Sequence, residues 1–232
     1  MRTGPGSVAR LALADGSFVA LLPQTLFKLG CVELTRDLKR AVRIDLIEGK
    51  FEAIAEPRGK GSSFDVVTRT AVAGVRGTQF RVAVGESAAT SVETVTGAVE
   101  LTGREGDKAS VMVEPGTASR VDSAGTPSKP RKLLPATVVA GPLHDPMQRD
   151  AELRWKAVEG ACAYQVQFGG DGELAAEFLT TETRETSLRL PANLREGHWF
   201  WRVAPVDPDG FVGMPTQTFS FVLPAPAEKG KR

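Results

Sequence analysis

The sequence predicts an all-β protein of two modules, a wound or solenoid-like sheet followed by a small β-sandwich. Two patterns carry this prediction: apolar residues alternate with polar ones at a period of two, and turns containing Gly interrupt the alternating runs at short intervals. A third observation divides the chain, because a stretch rich in Pro and Ser separates two groups of predicted strands. With 232 residues, the chain is long enough for two ordinary domains.

The alternation identifies the first strands and their buried faces. The clearest runs are residues 42–46, 80–84 and 111–113. In the first run Val42, Ile44 and Leu46 share one face, and the charged residues share the other. Only residues 34–42 are compatible with a helix, and their charged residues leave little apolar face for one. We therefore expect strands throughout.

Pairs of residues ending in Gly predict tight turns between these strands, since Gly accepts the positive φ that such turns need. The pairs are Asp15–Gly16, Glu48–Gly49, Thr96–Gly97 and Pro115–Gly116. Three of these pairs belong to a loosely repeated pattern, in which a polar residue and Gly are followed by alternating apolar residues. Its occurrences are irregularly spaced, so the sequence favours a meandering or wound sheet over a strict repeat.

The domain boundary is predicted from residue 122 onward. Pro127 and Pro130 remove backbone donors, and little apolar surface accompanies them, so this segment is not expected to form a packed strand. We place the first β domain at residues 1–122, a linker at 123–142, the β-sandwich at 143–223 and a disordered tail at 224–232.

Composition excludes several classes of partner. Lys and Arg number 29 and Asp and Glu 28, a net charge of +1, so neither nucleic acid nor an anionic membrane is expected. No apolar stretch is long enough to cross a bilayer, so this chain is not expected to insert into a membrane. The N-terminus also lacks the apolar core of a signal peptide, which leaves a cytoplasmic protein or an exported one whose signal lies outside the sequence.

The sequence offers no chemistry of its own. His144 and His198 lie far from Cys and from each other, so no metal site is expected, and no cofactor motif is present. Cys31 and Cys162 fall in different predicted domains and are interpreted as small buried residues. We expect a protein that is not an enzyme; an exposed strand edge would allow it to form oligomers.

The aromatic residues crowd into the second module, which contains Trp155, Tyr164, Trp199 and Trp201. A sugar-binding platform would use such residues, but a sandwich of this size also needs large aromatics to fill its core. We favour the core. Residues 153–166, with a core Trp on one strand and a Tyr on the next, and residues 194–203 resemble the fibronectin type III pattern over most of 143–223.

That resemblance implies an immunoglobulin-like sandwich that acts as a spacer or a protein-binding module. One position departs from the pattern, because Trp199 stands where the family usually has the Tyr of its corner. An indole N–H donates a hydrogen bond but accepts none, so the corner is expected to differ in geometry.

The most distinctive segment of the first module is residues 70–82. Gly74 and Gly77 bracket Arg76 within an apolar run, and Thr78 and Phe80 follow. We expect a close backbone approach or a positive φ at Gly77. For Arg76, hydrogen bonds that hold neighbouring turns are favoured over anion binding.

These residues resemble the FecR domain, whose pattern T-x-x-A-x-x-x-V-R-G-T-x-F-x-V maps onto 68–82, with 64–67 as the preceding strand. The resemblance covers 2–121. It implies further residues before Met1, which would carry an export signal, and a place in the periplasm or cell envelope.

Three functions follow from the pairing of these modules. The first is a non-catalytic, exported binding or scaffolding protein of the bacterial cell envelope, whose partner is an unknown envelope protein or peptidoglycan. The second is the periplasmic sensor part of a FecR-like anti-sigma regulator. The third is glycan or peptidoglycan binding through exposed aromatic residues of the second module.

Overall fold

The structure is a computed structural model that describes residues 1–13, 16–34, 40–56, 62–105, 108–141, 147–172, 174 and 179–225. The chain divides into two compact units, Met1–Leu133 and Leu134–Arg232. Every regular element of more than three residues is a β-strand, so the predicted all-β class is confirmed for the described residues. The predicted turn residue Asp15, His144 and residues 226–232 of the predicted tail lie outside them.

The described residues of the first unit form twelve strands. They are β1 (Ala9–Ala12), β2 (Phe18–Leu21), β3 (Leu26–Leu34), β4 (Arg40–Ala55), β5 (Ser63–Val67), β6 (Ala71–Val75), β7 (Thr78–Val84), β8 (Thr90–Thr96), β9 (Val99–Gly103), β10 (Ser110–Val113), β11 (Thr117–Val121) and β12 (Arg131–Lys132). A short 3-10 turn, Glu86–Ala88, precedes β8. The compatibility of residues 34–42 with a helix is not realised in the described part of that segment, where strands β3 and β4 end and begin.

The long strand β4 links two halves of one curled sheet, ordered β10-β9-β6-β5-β4-β7-β8-β11-β12. Its first half pairs with β5 in parallel and with β3, and its second half pairs with β7 and β2. Gly49, with φ of 92°, marks the change of partners, and a Cβ there would lie 2.6 Å from the Thr25 Cα. The prediction of a turn at Glu48–Gly49 is therefore wrong, because the glycine bends a continuous strand past Thr25 instead of ending it.

The curl of the sheet encloses the first core. Val42, Ile44 and Leu46 are at most 3% exposed, as their alternation predicts. Three phenylalanines fill the middle, and the ring of Phe80 meets Phe51 and Phe64 edge-on at centroid distances of 6.0 and 6.1 Å. The predicted turns at Thr96–Gly97 and Pro115–Gly116 join β8 to β9 and β10 to β11.

A row of charges crosses the opposite face of the sheet. Glu52, Arg81 and Glu93 lie directly opposite one another on β4, β7 and β8. The Arg81 guanidinium approaches the Glu52 carboxylate at 3.3 Å and the Glu93 carboxylate at 3.9 Å. Arg81 and Glu93 are 6% and 4% exposed, so each charge depends on its neighbours for compensation.

The segment predicted as a linker, 123–142, is divided between the two units. Asp122 accepts hydrogen bonds from the amides of Ala124 and Thr126, which closes a turn, and Ser128 bonds to Ser119 on β11. β12 then pairs with β11. Residues 122–130 hold no strand, as predicted, but the short strand Arg131–Lys132 follows them within the predicted linker. Side-chain oxygens of Asp122 and Ser119 supply hydrogen bonds in this segment that the prolines cannot.

In the described part of the second unit there are seven strands. They are β13 (Val139–Gly141), β14 (Glu152–Trp155), β15 (Ala163–Gly169), β16 (Leu179–Thr183), β17 (Ser187–Arg189), β18 (Gly197–Val206) and β19 (Phe219–Leu223). They form one sheet in the order β13-β14-β17 and another in the order β16-β15-β18-β19, all antiparallel. Two such sheets around one core are an immunoglobulin-like sandwich, as predicted.

The aromatic residues of the second unit are core residues. Trp155, Tyr164, Trp199 and Trp201 are all at most 6% exposed. Tyr164 additionally accepts a hydrogen bond from the Val158 amide at 2.9 Å. These four rings therefore offer no exposed platform for a sugar, and the interpretation of the aromatic cluster as core is confirmed.

Cys162 differs from its prediction as a buried residue. It is exposed, because it precedes the first residue of β15 at the end of the sheet. No helix among the described residues is long and apolar enough to cross a membrane.

Candidate functional site

The distinctive segment of the first unit forms the passage from one half of the curled sheet to the other. β6 pairs with β5 and β9, whereas β7 pairs with β4 and β8. Arg76 and Gly77 alone connect β6 to β7. The motif therefore marks the point where the chain changes neighbours over two residues, which requires an unusual backbone conformation.

Gly77 supplies that conformation, since its φ is 62°. The turn after β8 packs on it, and a Cβ on Gly97 would collide with the Gly77 carbonyl oxygen. Thr78 is 2% exposed, and its hydroxyl donates to the Ala98 carbonyl at 3.1 Å. The two turns are thus held together by a close backbone approach and a side-chain hydrogen bond. Phe80, in the core, fixes the strand that follows.

Gly74 and Arg76 lie on the outer face of the sheet, beside an open cleft of about 460 Å³. Gly74 stands between Asp65 and Glu100 in the register, so its missing side chain leaves space between two carboxylates. Arg76 is exposed, and among the described residues no hydrogen bond or ion pair to its guanidinium is found. The predicted anchoring of neighbouring turns by Arg76 is not seen there. Met112, 49% exposed, lies at the far side of the cleft.

A chain of buried hydroxyl groups lies at the other end of β6. The Thr90 hydroxyl is 2.7 Å from that of Thr68 and 2.8 Å from that of Thr70. The Thr68 hydroxyl also accepts a hydrogen bond from the Ala71 amide, and the Thr70 hydroxyl donates one to the Ala88 carbonyl. All three threonines are at most 4% exposed. The network joins the turn between β5 and β6 to β8, in the other half of the sheet.

Arg104 closes this arrangement from outside. One of its guanidinium nitrogens donates to the Thr68 carbonyl at 2.7 Å, and its amide donates to the Thr70 carbonyl at 2.9 Å. Sequence reasoning identified Thr68 as part of a pattern but missed Thr90 and Arg104. Nothing in the sequence links these residues, because the register that brings them together depends on long-range strand pairing.

The described residues contain no group of three or more His, Cys, Asp or Glu side chains that could hold a metal ion. His198 stacks against Phe200 with ring centroids 4.6 Å apart. The candidate site is the outer sheet face of the first unit, because charged residues there lie beside the exposed apolar residues Ile47 and Met112.

Comparison with known proteins identifies the first unit. Residues 1–100 match the family model described as FecR protein. These residues include the segment 68–82 and all five motif residues: Gly74, Arg76, Gly77, Thr78 and Phe80. The predicted resemblance to the FecR domain is therefore confirmed over residues 1–100. No curated protein matches the chain in sequence.

Several solved structures are similar to this chain. A proposed anti-sigma factor from Parabacteroides distasonis ATCC 8503 is 25% identical over 57% of this chain, with a TM-score of 0.47. The alignment spans 58% of that protein. The extracellular domain of a proposed hybrid two-component system from B. thetaiotaomicron is 10% identical over 94% of this chain and 37% of its own, with a TM-score of 0.26. The FN1–FN3 domains of chicken CNTN1 are 14% identical over 96% of this chain and 99% of their own, with a TM-score of 0.29.

Proposed function

We propose that this chain, whose first 100 residues match the FecR family, is the non-catalytic, protein-binding sensor part of an envelope signalling protein. The family match is the observation that carries the proposal. The family resemblance implies a periplasmic domain that senses a partner and passes the signal to an anti-sigma segment. The second unit would then serve as a spacer or a further contact surface.

The outer sheet face of the FecR-type domain suits the recognition of a protein. Ile47 and Met112 are 55% and 49% exposed on it, among arginines and carboxylates. Exposed aliphatic side chains next to guanidinium groups are typical of protein-binding surfaces. A catalytic role would need a nucleophile or an acid–base pair in a closed cleft. The two clefts described on this face are both partly open to solvent.

An exported scaffold is the second candidate, and it is supported by the same pairing of a FecR-type domain with a sandwich. It shares the envelope location but predicts no effect on gene expression. Glycan binding through exposed aromatics loses its basis, because Trp155, Tyr164, Trp199 and Trp201 are buried.

The test uses the complete gene product, tagged at its C-terminus and produced in its own organism. Cell fractionation should place the protein in the envelope. Deletion of the gene should change the transcript levels of a small set of genes, and the native chain should restore them. Recovery in the cytoplasm would overturn the proposal. An envelope location with unchanged transcripts would favour the scaffold.

A further inference from the structure

A cleft of about 440 Å³ opens at the turn between β5 and β6. Val67, which is 8% exposed, forms its aliphatic floor; Leu46 also borders the cleft, but it is 1% exposed and belongs to the core. Ile47 lies at its edge and is 55% exposed. A branched aliphatic side chain this exposed beside an aliphatic floor offers apolar area that a partner could cover.

The rim of the cleft is strongly basic. Arg43, Arg69 and Arg104 line it with a single carboxylate, that of Asp45, among the described lining residues. Asp45 accepts from the Arg43 Nε at 2.9 Å. The formal charge of the rim is therefore +2, in a chain whose total charge is +1. Such a local excess attracts carboxylate or phosphate groups.

The fold holds Arg69 in place for binding. It lies between Thr68 and Thr70, which are both buried and both bonded to the Thr90 hydroxyl. The Arg69 side chain is exposed, and no hydrogen bond or ion pair to it is found among the described residues. Its backbone is thus fixed and its guanidinium remains available, so binding has to order the side chain but not the backbone.

Arg104 is fixed in a different way, through its guanidinium as well as its backbone. Its hydrogen bond to the Thr68 carbonyl holds the guanidinium at the rim and leaves further N–H donors on that group. Two positioned arginines on either side of an aliphatic floor match a ligand that carries acidic groups at intervals, with an aliphatic group between them.

We propose that this cleft binds an acidic, extended segment of a partner protein, with carboxylates on Arg69 and Arg104 and an aliphatic side chain against Ile47 and Val67. The proposal deepens the protein-binding role above by naming a place and a chemistry. A free anion would leave the aliphatic floor uncovered. An anionic membrane would require a wider basic surface than a chain of net charge +1 provides.

The experiment measures binding of a short fluorescein-labelled peptide that alternates glutamate with leucine, using fluorescence anisotropy and the whole chain. A peptide in which lysine replaces glutamate is the ligand control. We expect the glutamate peptide to bind, the lysine peptide not to bind, and added salt to weaken the interaction. The substitution Arg69→Glu should weaken binding about tenfold or more, since it replaces attraction with repulsion.

Arg184→Glu is the matched protein control. Arg184 is exposed on the second unit, so this substitution makes the same charge change away from the cleft and should alter affinity less than about twofold. Ile47→Ser tests the aliphatic contact. It should weaken binding of the glutamate–leucine peptide more than binding of a glutamate–serine peptide. Thermal unfolding of every variant verifies that the first unit is folded, and Arg69→Gln replaces Arg69→Glu if it is not.

Three results would overturn the proposal: no peptide binding at millimolar concentration, equal loss with Arg69→Glu and Arg184→Glu, or preferential binding to inorganic phosphate or phosphatidylglycerol vesicles. These results leave the sensor role itself standing, because fractionation and transcript levels test that role separately. Conversely, peptide binding that depends on Arg69 would stand even if the protein proved to be a scaffold.

Discussion

A side chain on Gly97 would collide with the carbonyl oxygen of Gly77, and its Cβ would also lie 3.0 Å from the Thr78 Cα. Both glycines have positive φ, 73° and 62°. Gly97 lies in the turn after β8, and Gly77 lies in the two-residue connection from β6 to β7. The two turns therefore depend on each other, and the absence of a side chain at one is required by the backbone of the other.

We predict that Gly97→Ala destabilises the first unit by about 1–3 kcal/mol more than Gly6→Ala does. Gly6 has nearly the same φ, 69°, but nothing lies within 4 Å of a Cβ built there. Both variants carry the cost of a positive φ, so the difference isolates the collision. Urea unfolding followed by far-UV circular dichroism measures it. Equal losses would mean that the Gly77 backbone moves aside at no cost.

Gly77→Val should unfold the first unit or make it aggregate while the second unit stays folded. A β-branched residue at φ of 62° is strained by on the order of 1–3 kcal/mol, a large part of a domain's stability. Every Trp lies in the second unit, so Trp fluorescence follows that unit alone and far-UV circular dichroism follows both. Loss of both signals in one transition would show that the units do not unfold independently.

Thr90→Val should cost about 1–3 kcal/mol, because it removes one partner from each of two buried hydroxyl groups, those of Thr68 and Thr70. Thr94→Val is the matched control on the same strand. Thr94 is fully buried, and its hydroxyl has no hydrogen-bond partner among the described residues. Its replacement by Val should be neutral or stabilising. Similar losses in chemical denaturation of the two variants would contradict the importance of the network.

Local pattern was sufficient where one strand face meets one core. The alternation of Val42, Ile44 and Leu46 predicted their burial, and the motif glycines predicted a close backbone approach or a positive φ at Gly77, of which the structure has the positive φ. Both features arise from steric rules that act within a few residues. The aromatic core of the second unit was predictable for a related reason, since a small sandwich has few other large residues to bury.

Pattern failed where distant segments decide the outcome. Glu48–Gly49 has the composition of a turn, but the approach of Thr25 makes it a bend in one long strand. The stretch from Asp122 to Ser128 has the composition of a linker, but the Asp122 carboxylate closes a turn within it and Ser128 accepts a hydrogen bond from Ser119 on β11. The hydrogen-bond network of Thr68, Thr70 and Thr90 could not be predicted from the sequence for the same reason. Each contact joins residues whose meeting is set by sheet topology rather than by local sequence.

The carboxyl group of Glu152 gives the sandwich a dependence on pH. Hydrogen bonds from Arg154 and then from Ser187 hold its pKa below the ordinary value of 4.5. A folded-state pKa lower than the unfolded one stabilises the protein above that ordinary value, and the gain is lost as the pH falls through the folded-state pKa. Since the Glu152 side chain remains 35% exposed, the effect is small and screened by salt.

We therefore predict that Glu152→Gln lowers the melting temperature of the second unit at neutral pH and that the difference from the native chain shrinks below about pH 4.5. Glu182→Gln is the control, because among the described residues no hydrogen bond to that side chain is found. It should change the melting temperature less at neutral pH. If the melting-temperature difference between Glu152→Gln and the native chain grew on acidification, the lowered pKa of Glu152 would be refuted.

The last prediction concerns Trp199, which stands where the resemblance to fibronectin type III domains leads us to expect a tyrosine. Its indole N–H donates to the Arg195 carbonyl at 2.9 Å, so the corner keeps its hydrogen bond with a different donor. Trp199→Tyr should therefore be less destabilising than Trp199→Phe by about 1 kcal/mol, since a phenol hydroxyl can donate to the same carbonyl and a phenyl ring cannot.

Trp201 provides the comparison. Its indole nitrogen is buried without a hydrogen-bond partner among the described residues, so Trp201→Tyr should be no better than Trp201→Phe. Urea unfolding, followed by fluorescence of the two tryptophans that each variant retains, measures all four stabilities. The order Tyr above Phe at position 199, and not at 201, is the expected result. If Tyr and Phe are equivalent at 199, the carbonyl of Arg195 is satisfied in another way and the indole serves only as core volume.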